Sequence, residues 1–386
     1  MHPGRLSDHY SRFRVAERLL LTGHSHQAWP DVSFDAQQRA WLDAAELVDE
    51  KWPRAAEQAE RVRDGFRRLL NDRDGDIALG QNTHELVTRL LSALPLAERP
   101  RLVTTDGEFH TIRRQVDRLA EAGLTIVKVT ARPAESLAER VAAVVDDRTA
   151  CALVSSVLFE TAEIVSALDL VARRCERVGA TLLVDAYHHL NVVPFDVEAL
   201  GLGAAFVTGG GYKYCQLGEG NAFLRVPPGC RLRPVLTGWF SEFNALEQSA
   251  AAARVEYGGG ASRFAGATYD PASHYRGAAT FAFHAEQGLT ATRLREISRA
   301  QVGLLKREFE ALDLDPATAH VEPMPDDRRA GFLALRCARA GHLAAALRAR
   351  GVLTDFRGTL LRLGPAPYLS DDQLRDAIAA LRDVFS

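Results

Sequence analysis

Apolar residues recur along this chain with two different periods, and the changes of period mark out its elements. Residues 33–50 and 54–70 carry helical spacing. The short run Asp76-Ile77-Ala78-Leu79-Gly80 then reads as a strand ending in glycine, and Gln81-Asn82-Thr83-His84-Glu85 opens another helix. From residue 101 onward strands and helices alternate. Strands are expected at 102–104, 125–129, 150–155, 180–184 and 204–208, with intervening helices beginning near Glu108, Ala134 and Ser166. This alternation predicts an α/β fold with a largely parallel sheet, right-handed crossovers and ligands at the carboxyl ends of the strands. Past residue 285 the pattern shifts to a long helix (289–312), an exposed loop (315–328), a strand (331–336), a helix (343–350), two short strands and a final helix. Ser370 is placed to cap that last helix, and Leu374, Ile378, Leu381 and Phe385 share one face. The expected division is an N-terminal segment 1–50 packed on the small domain, a large domain 51–285 and a small α/β domain 286–386. No internal repeat or low-complexity stretch interrupts it.

Composition narrows the chemistry. The 386 residues, 47% hydrophobic and 25% charged, are those of an ordinary soluble globular protein. A net charge of −3 gives no electrostatic case for nucleic acid or an anionic membrane. Five scattered cysteines at 151, 175, 215, 230 and 337 form no C-x-x-C and no metal-ligand spacing, so the expectation is a reduced cytoplasmic protein without a metal. No apolar run reaches the roughly 20 residues of a membrane span.

Arginine greatly outnumbers lysine, which isolates Lys213. It follows three glycines and Tyr212, 28 positions after Asp185. Asp185 ends an apolar strand, with His188 three residues on. A carboxylate at a strand end and a lysine after the next strand are what a pyridoxal 5′-phosphate (PLP) site requires. The lysine carries the cofactor, and the carboxylate keeps the pyridine nitrogen protonated so that the ring acts as an electron sink. The strand–turn–helix junction at Asn82 and Thr83 aims free N–H groups at one spot, which suits a phosphate. The plainer reading is that both residues cap the helix. Phe109 and Trp239 read as packing residues. Arg362, inside the apolar stretch Leu361-Arg362-Leu363, needs an anion, and its two-pronged fork suits a carboxylate.

The sequences D-A-Y-H (185–188), G-Y-K-Y (211–214) and T-G-W-F (237–240) closely resemble the D-x-A-H, S-Y-K-Y and G-W-x-G of the kynureninase branch of class V PLP enzymes. The resemblance extends from about Gly23 to Pro367. It implies a fold type I PLP-dependent transferase, an amino acid substrate and a homodimer with shared active sites. By the same resemblance Asn82 and Thr83 fall in the phosphate turn, Phe109 stacks on the cofactor ring, and Ser155 belongs to the family's S-x-V-x-Y-R-T-G. Tyr212 bonds the phosphate and relays a proton, and His188 borders the ring. Trp239 and Thr268 reach the phosphate of the partner subunit, and Arg362 holds the substrate α-carboxylate. Residues 22–25 partly match a segment that lines the substrate pocket, which makes His24 and Ser25 substrate-side residues. His24 and His26 replace the family's asparagine and leucine, Glu160 its arginine, and a longer T-Y-D-P-A-S-H-Y-R segment its S-N pair. These departures, with Ala267, Tyr269 and His274, mark the substrate-selecting set. The leading expectation is hydrolytic Cβ–Cγ cleavage of an amino acid with a γ-carbonyl. The alternatives are an aminotransferase, another PLP-dependent lyase, or a non-catalytic protein that keeps the fold. Retention of Lys213 argues against the last. A desulfurase reading does not fit, because G-Y-K-Y stands where S-x-H-K would be.

Overall fold

The computed structural model describes residues 6–245 and 254–385. Seven strands form the central sheet: β1 (Asp76–Gly80), β2 (Arg101–Thr105), β3 (Thr125–Val129), β4 (Thr149–Ser155), β5 (Thr181–Asp185), β6 (Phe206–Gly210) and β7 (Ala222–Val226). Their spatial order is β1-β7-β6-β5-β4-β2-β3. β7 runs antiparallel to both neighbours, and every other adjacent pair is parallel. β4, β6 and β7 are buried along their whole length, as expected of strands covered on both faces. Separate apolar cores lie on the two sides, one around Val103, Val154 and Val184, the other around Leu102, Leu153 and Leu183. Adjacent residues of one strand feed opposite cores, which is the period-2 rule of a pleated strand.

Two elements depart from the sequence pattern. β7 carries Arg225, 2% exposed, in the middle of a fully buried strand. Its Nε bonds Asp72 at 2.8 Å and its Nη1 donates to the carbonyls of Gly203 and Ala205 at 2.6 and 2.9 Å. The guanidinium is thus paired and satisfied, the condition under which a charge tolerates burial. The helix Ala272–Glu286 lies in a polar, glycine-interrupted stretch, and it is buried through His274, Tyr275, Thr280 and Phe281 against the helices Val32–Leu47 and Trp52–Leu69. Tyr275 donates to Asp43 at 2.9 Å across that contact.

The C-terminal region forms a four-stranded antiparallel sheet in which Leu333–Arg336 pairs with Leu360–Leu363, and Leu360–Leu363 with Asp355–Arg357. The fourth strand, His320–Val321, falls in the stretch expected to be loop. The core of this region includes residues from both ends of the chain: Leu6, Tyr10, Leu20 and Leu21 lie with Leu333, Leu361 and Tyr368. Leu19–Leu20 pairs in parallel with Val352–Leu353, and Thr22 bridges Gly364. No helix among the described residues is long and apolar enough to cross a membrane.

The approach of the two ends is close enough to exclude a side chain. A Cβ on Gly23 would lie 2.5 Å from the Pro365 carbonyl oxygen, and one on Gly364 would fall inside the contact radius of His24 Nδ1. Gly364→Ala is expected to cost about 1–3 kcal/mol, the usual penalty of overpacking, measured by urea unfolding. Gly259→Ala, with open space around it, serves as the comparison and should change little. Equal stability of the two variants would show that the ends do not meet this closely.

Candidate active site

β5 ends at Asp185, whose Oδ1 accepts the Tyr187 backbone N–H at 2.8 Å. Oδ2 has no protein hydrogen-bond partner among the described residues and belongs to the cavity wall. Burial raises the carboxyl above its ordinary value, with the Tyr187 amide and Lys213 acting the other way. β6 ends at Gly210, where a Cβ would lie 2.5 Å from the Tyr187 hydroxyl oxygen, so only glycine lets the strand pass. The chain then turns through Gly211 and Tyr212 and delivers Lys213 to the cavity opened by Asp185.

Lys213 is 5% exposed. Its Nζ donates to His188 Nε2 at 2.7 Å and lies 4.6, 5.2 and 5.8 Å from the ring centroids of Tyr187, Phe109 and Tyr212. Burial lowers its pKa to about 7; Asp185 opposes that shift, and Arg362 and Arg357 add to it. His188 is held well below its ordinary value by burial and by Lys213, so it is a neutral acceptor, and its buried Nδ1 has no hydrogen-bond partner among the described residues. The amine sits among π-faces with a neutral imidazole, and its ammonium form is destabilised by desolvation.

The cavity encloses about 350 Å³. Asp185, His188, Tyr212 and Lys213 line one part of its wall, and Asn82, Thr83, Phe109 and Ser155 line another. Asn82 caps the helix Thr83–Ser92, its Oδ1 accepting from Glu85 N at 3.0 Å. The capping role read from the sequence is therefore real, and the same helix terminus faces the cavity. His26 stacks on Tyr212 at 4.8 Å between centroids, and Ser25 bonds His26 Nδ1 at 3.0 Å.

Other sequence-derived candidates lie off this wall. Arg362 is 2% exposed, and the anion it needs is already inside the protein. Its Nε and Nη2 grip the two oxygens of Asp355 at 2.8 and 2.5 Å, and Nη1 donates to the Phe159 carbonyl at 2.6 Å. The hairpin register sets Asp355 opposite Arg362, so strand pairing supplies the carboxylate that the sequence reading assigned to substrate. His24 is likewise fully buried, with Nε2 on Asp355 at 2.8 Å, and burial brings its pKa to about 4. Burial would raise Asp355, but His24 and Arg362 together hold its carboxyl well below the usual range. Trp239 is 45% exposed against Phe240 and Phe243, Thr268 is exposed, and neither lines the cavity of its own chain. Asp355 and the buried Glu108 escaped the sequence reading, since each acts through a partner that only the fold brings near. Asp355→Ala leaves a buried guanidinium with one carbonyl partner, and a loss of about 3 kcal/mol is expected in urea unfolding. A loss below about 1 kcal/mol would show that water solvates the pair.

The donor set fits PLP: a buried amine that loses its proton near neutrality, a carboxylate with one oxygen open to the cavity, and a helix N-terminus for a dianionic phosphate. Comparison with known proteins agrees. The family model for class-V aminotransferases matches residues 47–303, and that for the kynureninase C-terminal domain matches residues 294–381. An uncharacterized aminotransferase, YcbU, of Bacillus subtilis is 24% identical over 85% of this chain and 84% of its own length. The kynureninase of Deinococcus radiodurans is 27% identical over 95% of this chain and 90% of its own. The match to kynureninase of Bacillus thuringiensis, 28% identical, covers 67% of this chain and 60% of that protein. Among solved structures, C-DES with glycine covalently linked to its PLP cofactor superposes with a TM-score of 0.83 at 17% identity, covering 97% of this chain and 98% of that one. The apo cysteine desulfurase of Thermococcus onnurineus superposes with a TM-score of 0.78 at 16% identity, covering 96% and 95%. At such identities these two likenesses speak for the fold. With two thirds of its length matched by one family model and a lysine–carboxylate cavity at the strand ends, the chain belongs to the class-V aminotransferase family of fold type I, PLP-dependent enzymes.

Proposed function

We propose that this enzyme cleaves the Cβ–Cγ bond of an α-amino acid carrying a γ-carbonyl, hydrolytically and in the manner of kynureninase. The supporting observation is the bond from Arg362 Nη1 to the Phe159 carbonyl, by which the region matching the kynureninase C-terminal domain reaches the cavity wall. Bound in the cavity, PLP supplies an electron sink for the pair left at Cα and then at Cβ when bonds there break. The protein side of the reaction is proton handling and positioning. Lys213, with a pKa of about 7, is available as free amine to a substantial fraction at neutral pH and takes the Cα proton onto Nζ. His188 Nε2 accepts the hydrogen bond that orients that amine. With the cofactor bound, Asp185 would hold a proton at the pyridine nitrogen, and the Tyr212 hydroxyl, also on the cavity wall, would bond the phosphate and pass a proton. Addition of water to the γ-carbonyl lets the Cβ–Cγ bond break, giving a carboxylic acid and alanine.

Arg362 would take the α-carboxylate by exchanging it for Asp355, one anion for another, so that the guanidinium stays paired throughout. Arg362→Lys should raise KM strongly, because a point charge cannot reproduce the two parallel bonds. We further propose a homodimer in which Trp239 and Thr268 complete the partner's site. The exposed apolar side chains of Val235, Leu236, Trp239, Phe243 and Val255 support this. Division into an N-terminal segment (1–50), a large domain (51–285) and a small domain (286–386) belongs to the same proposal.

Kynurenine and 3-hydroxykynurenine, supplied without any keto acid, should yield alanine and the matching anthranilate by mass spectrometry. Turnover that appears only when a keto acid is added, with the amino group transferred, would replace the hydrolase reading by an aminotransferase. Capture of PLP by the apoprotein, fixed by borohydride and located by peptide mapping, should occur at Lys213. Its rate should climb as pH rises through about 7 and level off above, since the neutral amine is the nucleophile. A rate still climbing at pH 9–10 would place the amine in an ordinary aqueous setting.

A further inference from the structure

Glu108, at the end of the β2 loop, is 2% exposed and has no part in the proton handling above. Its Oε1 accepts from Thr105 Oγ1 at 2.7 Å and from Ser155 N–H at 3.1 Å. Thr105 Oγ1 itself accepts the Gly107 N–H at 3.1 Å while it donates to Glu108. Oε1 therefore already receives two donors. Oε2 lies 2.6 Å from Ser155 Oγ, and Ser155 forms part of the cavity wall. Because Oε1 already receives two donors and Oε2 meets only Ser155 Oγ, a proton on Glu108 is best accommodated on Oε2, pointing at Ser155.

We propose that Glu108 is a positioning residue of the cofactor site, whose ionisation decides whether the Ser155 hydroxyl donates to the cavity or accepts from it. When Glu108 is a carboxylate, the Ser155 hydroxyl proton goes to Oε2, and only oxygen lone pairs face the occupant. When Glu108 carries a proton, Oε2–H donates to Ser155 Oγ, and the serine proton turns into the cavity. An electron-rich oxygen of the cofactor at that wall is then stabilised only in the second state. Burial and the neighbouring Asp185 on β5 bring the Glu108 pKa up to about 7, although Ser155 and Thr105 favour the ionised form. Asp106 is turned away to the Ala131 amide, His110 packs on Phe159, and Lys213 bears on Asp185. The role rests on the PLP reading and goes beyond it.

Glu108→Gln fixes the second state, because its carbonyl must face the two donors at Oε1 and its amide then donates to Ser155. Equilibrium binding of PLP to the apoproteins reads the difference without turnover. Wild type and Glu108→Gln should bind alike at pH 6. By pH 8.5 the wild type should be weaker by about tenfold, the worth of one hydrogen bond to a charged group. The divergence should vanish in a Ser155→Ala background. Thr105→Val, which removes a donor from the carboxylate without touching Ser155, should move the divergence to higher pH. A ratio independent of pH, or one that survives Ser155→Ala, overturns the proposal. Failure of the wild type itself to take up PLP at every pH would overturn the cofactor reading, and this role with it.

Discussion

The site depends on keeping one amine out of water. Among the described residues no carboxylate bonds Lys213 Nζ: three aromatic faces and a neutral histidine offset an ammonium only weakly, and Asp185 acts at longer range. The free-energy cost of desolvating a charge exceeds that of desolvating an amine, and this difference converts an ordinary lysine into a nucleophile and base near neutrality. The surrounding choices follow. Gly210 must lack a side chain because Tyr187 occupies its place, and His188 must stay neutral because a second cation would sit 2.7 Å from the first.

A second buried cation shows the opposite solution. Arg362 is as inaccessible as Lys213, yet it stays charged because Asp355 meets its fork and Phe159 takes the remaining edge. His24 shares the same carboxylate. One cation is left unpaired so that it can lose its proton, and the other is over-paired so that it cannot. Both electrostatic states bear on the same cavity, since Arg362 lowers the proton affinity of Lys213 and His188 through space.

Much of this architecture could be read in the residues. β3 occupies the bounds its apolar run implied, and β1 likewise, because an uninterrupted strand pattern flanked by turns leaves little choice of register. Asp185 and Lys213 meet because consecutive parallel strands deliver their ends to one edge. What escaped was decided by partners remote in sequence. β7 hides because Arg225 breaks an apolar run, and the residues that make it tolerable lie at 72, 203 and 205. The helix Ala272–Glu286 has modest intrinsic preference and is held by packing on two others. Arg362 sits in an apolar strand where a guanidinium needs an anion, and the Asp355 partner that meets it is visible only in the hairpin register. Glu108 carries no marking spacing at all.

The joining of Leu19–Leu20 to Val352–Leu353, with Thr22 against Gly364 and His24 on Asp355, sets an order on the protein's manufacture. Ribosomes add roughly 5–20 residues per second, so the 331 positions between His24 and Asp355 correspond to tens of seconds. Throughout that interval Leu19 and Leu20 lack the strand Val352–Leu353 they pair with, although Tyr10 can already meet Gln216 and Phe283 and the central sheet can assemble behind them. The early segment must stay unpaired, an open strand edge in a crowded cell, until the C-terminal hairpin leaves the exit tunnel. The junction of the two chain ends is therefore completed only after the strands of the central sheet, with Asp185 and Lys213 at their ends, have all been made.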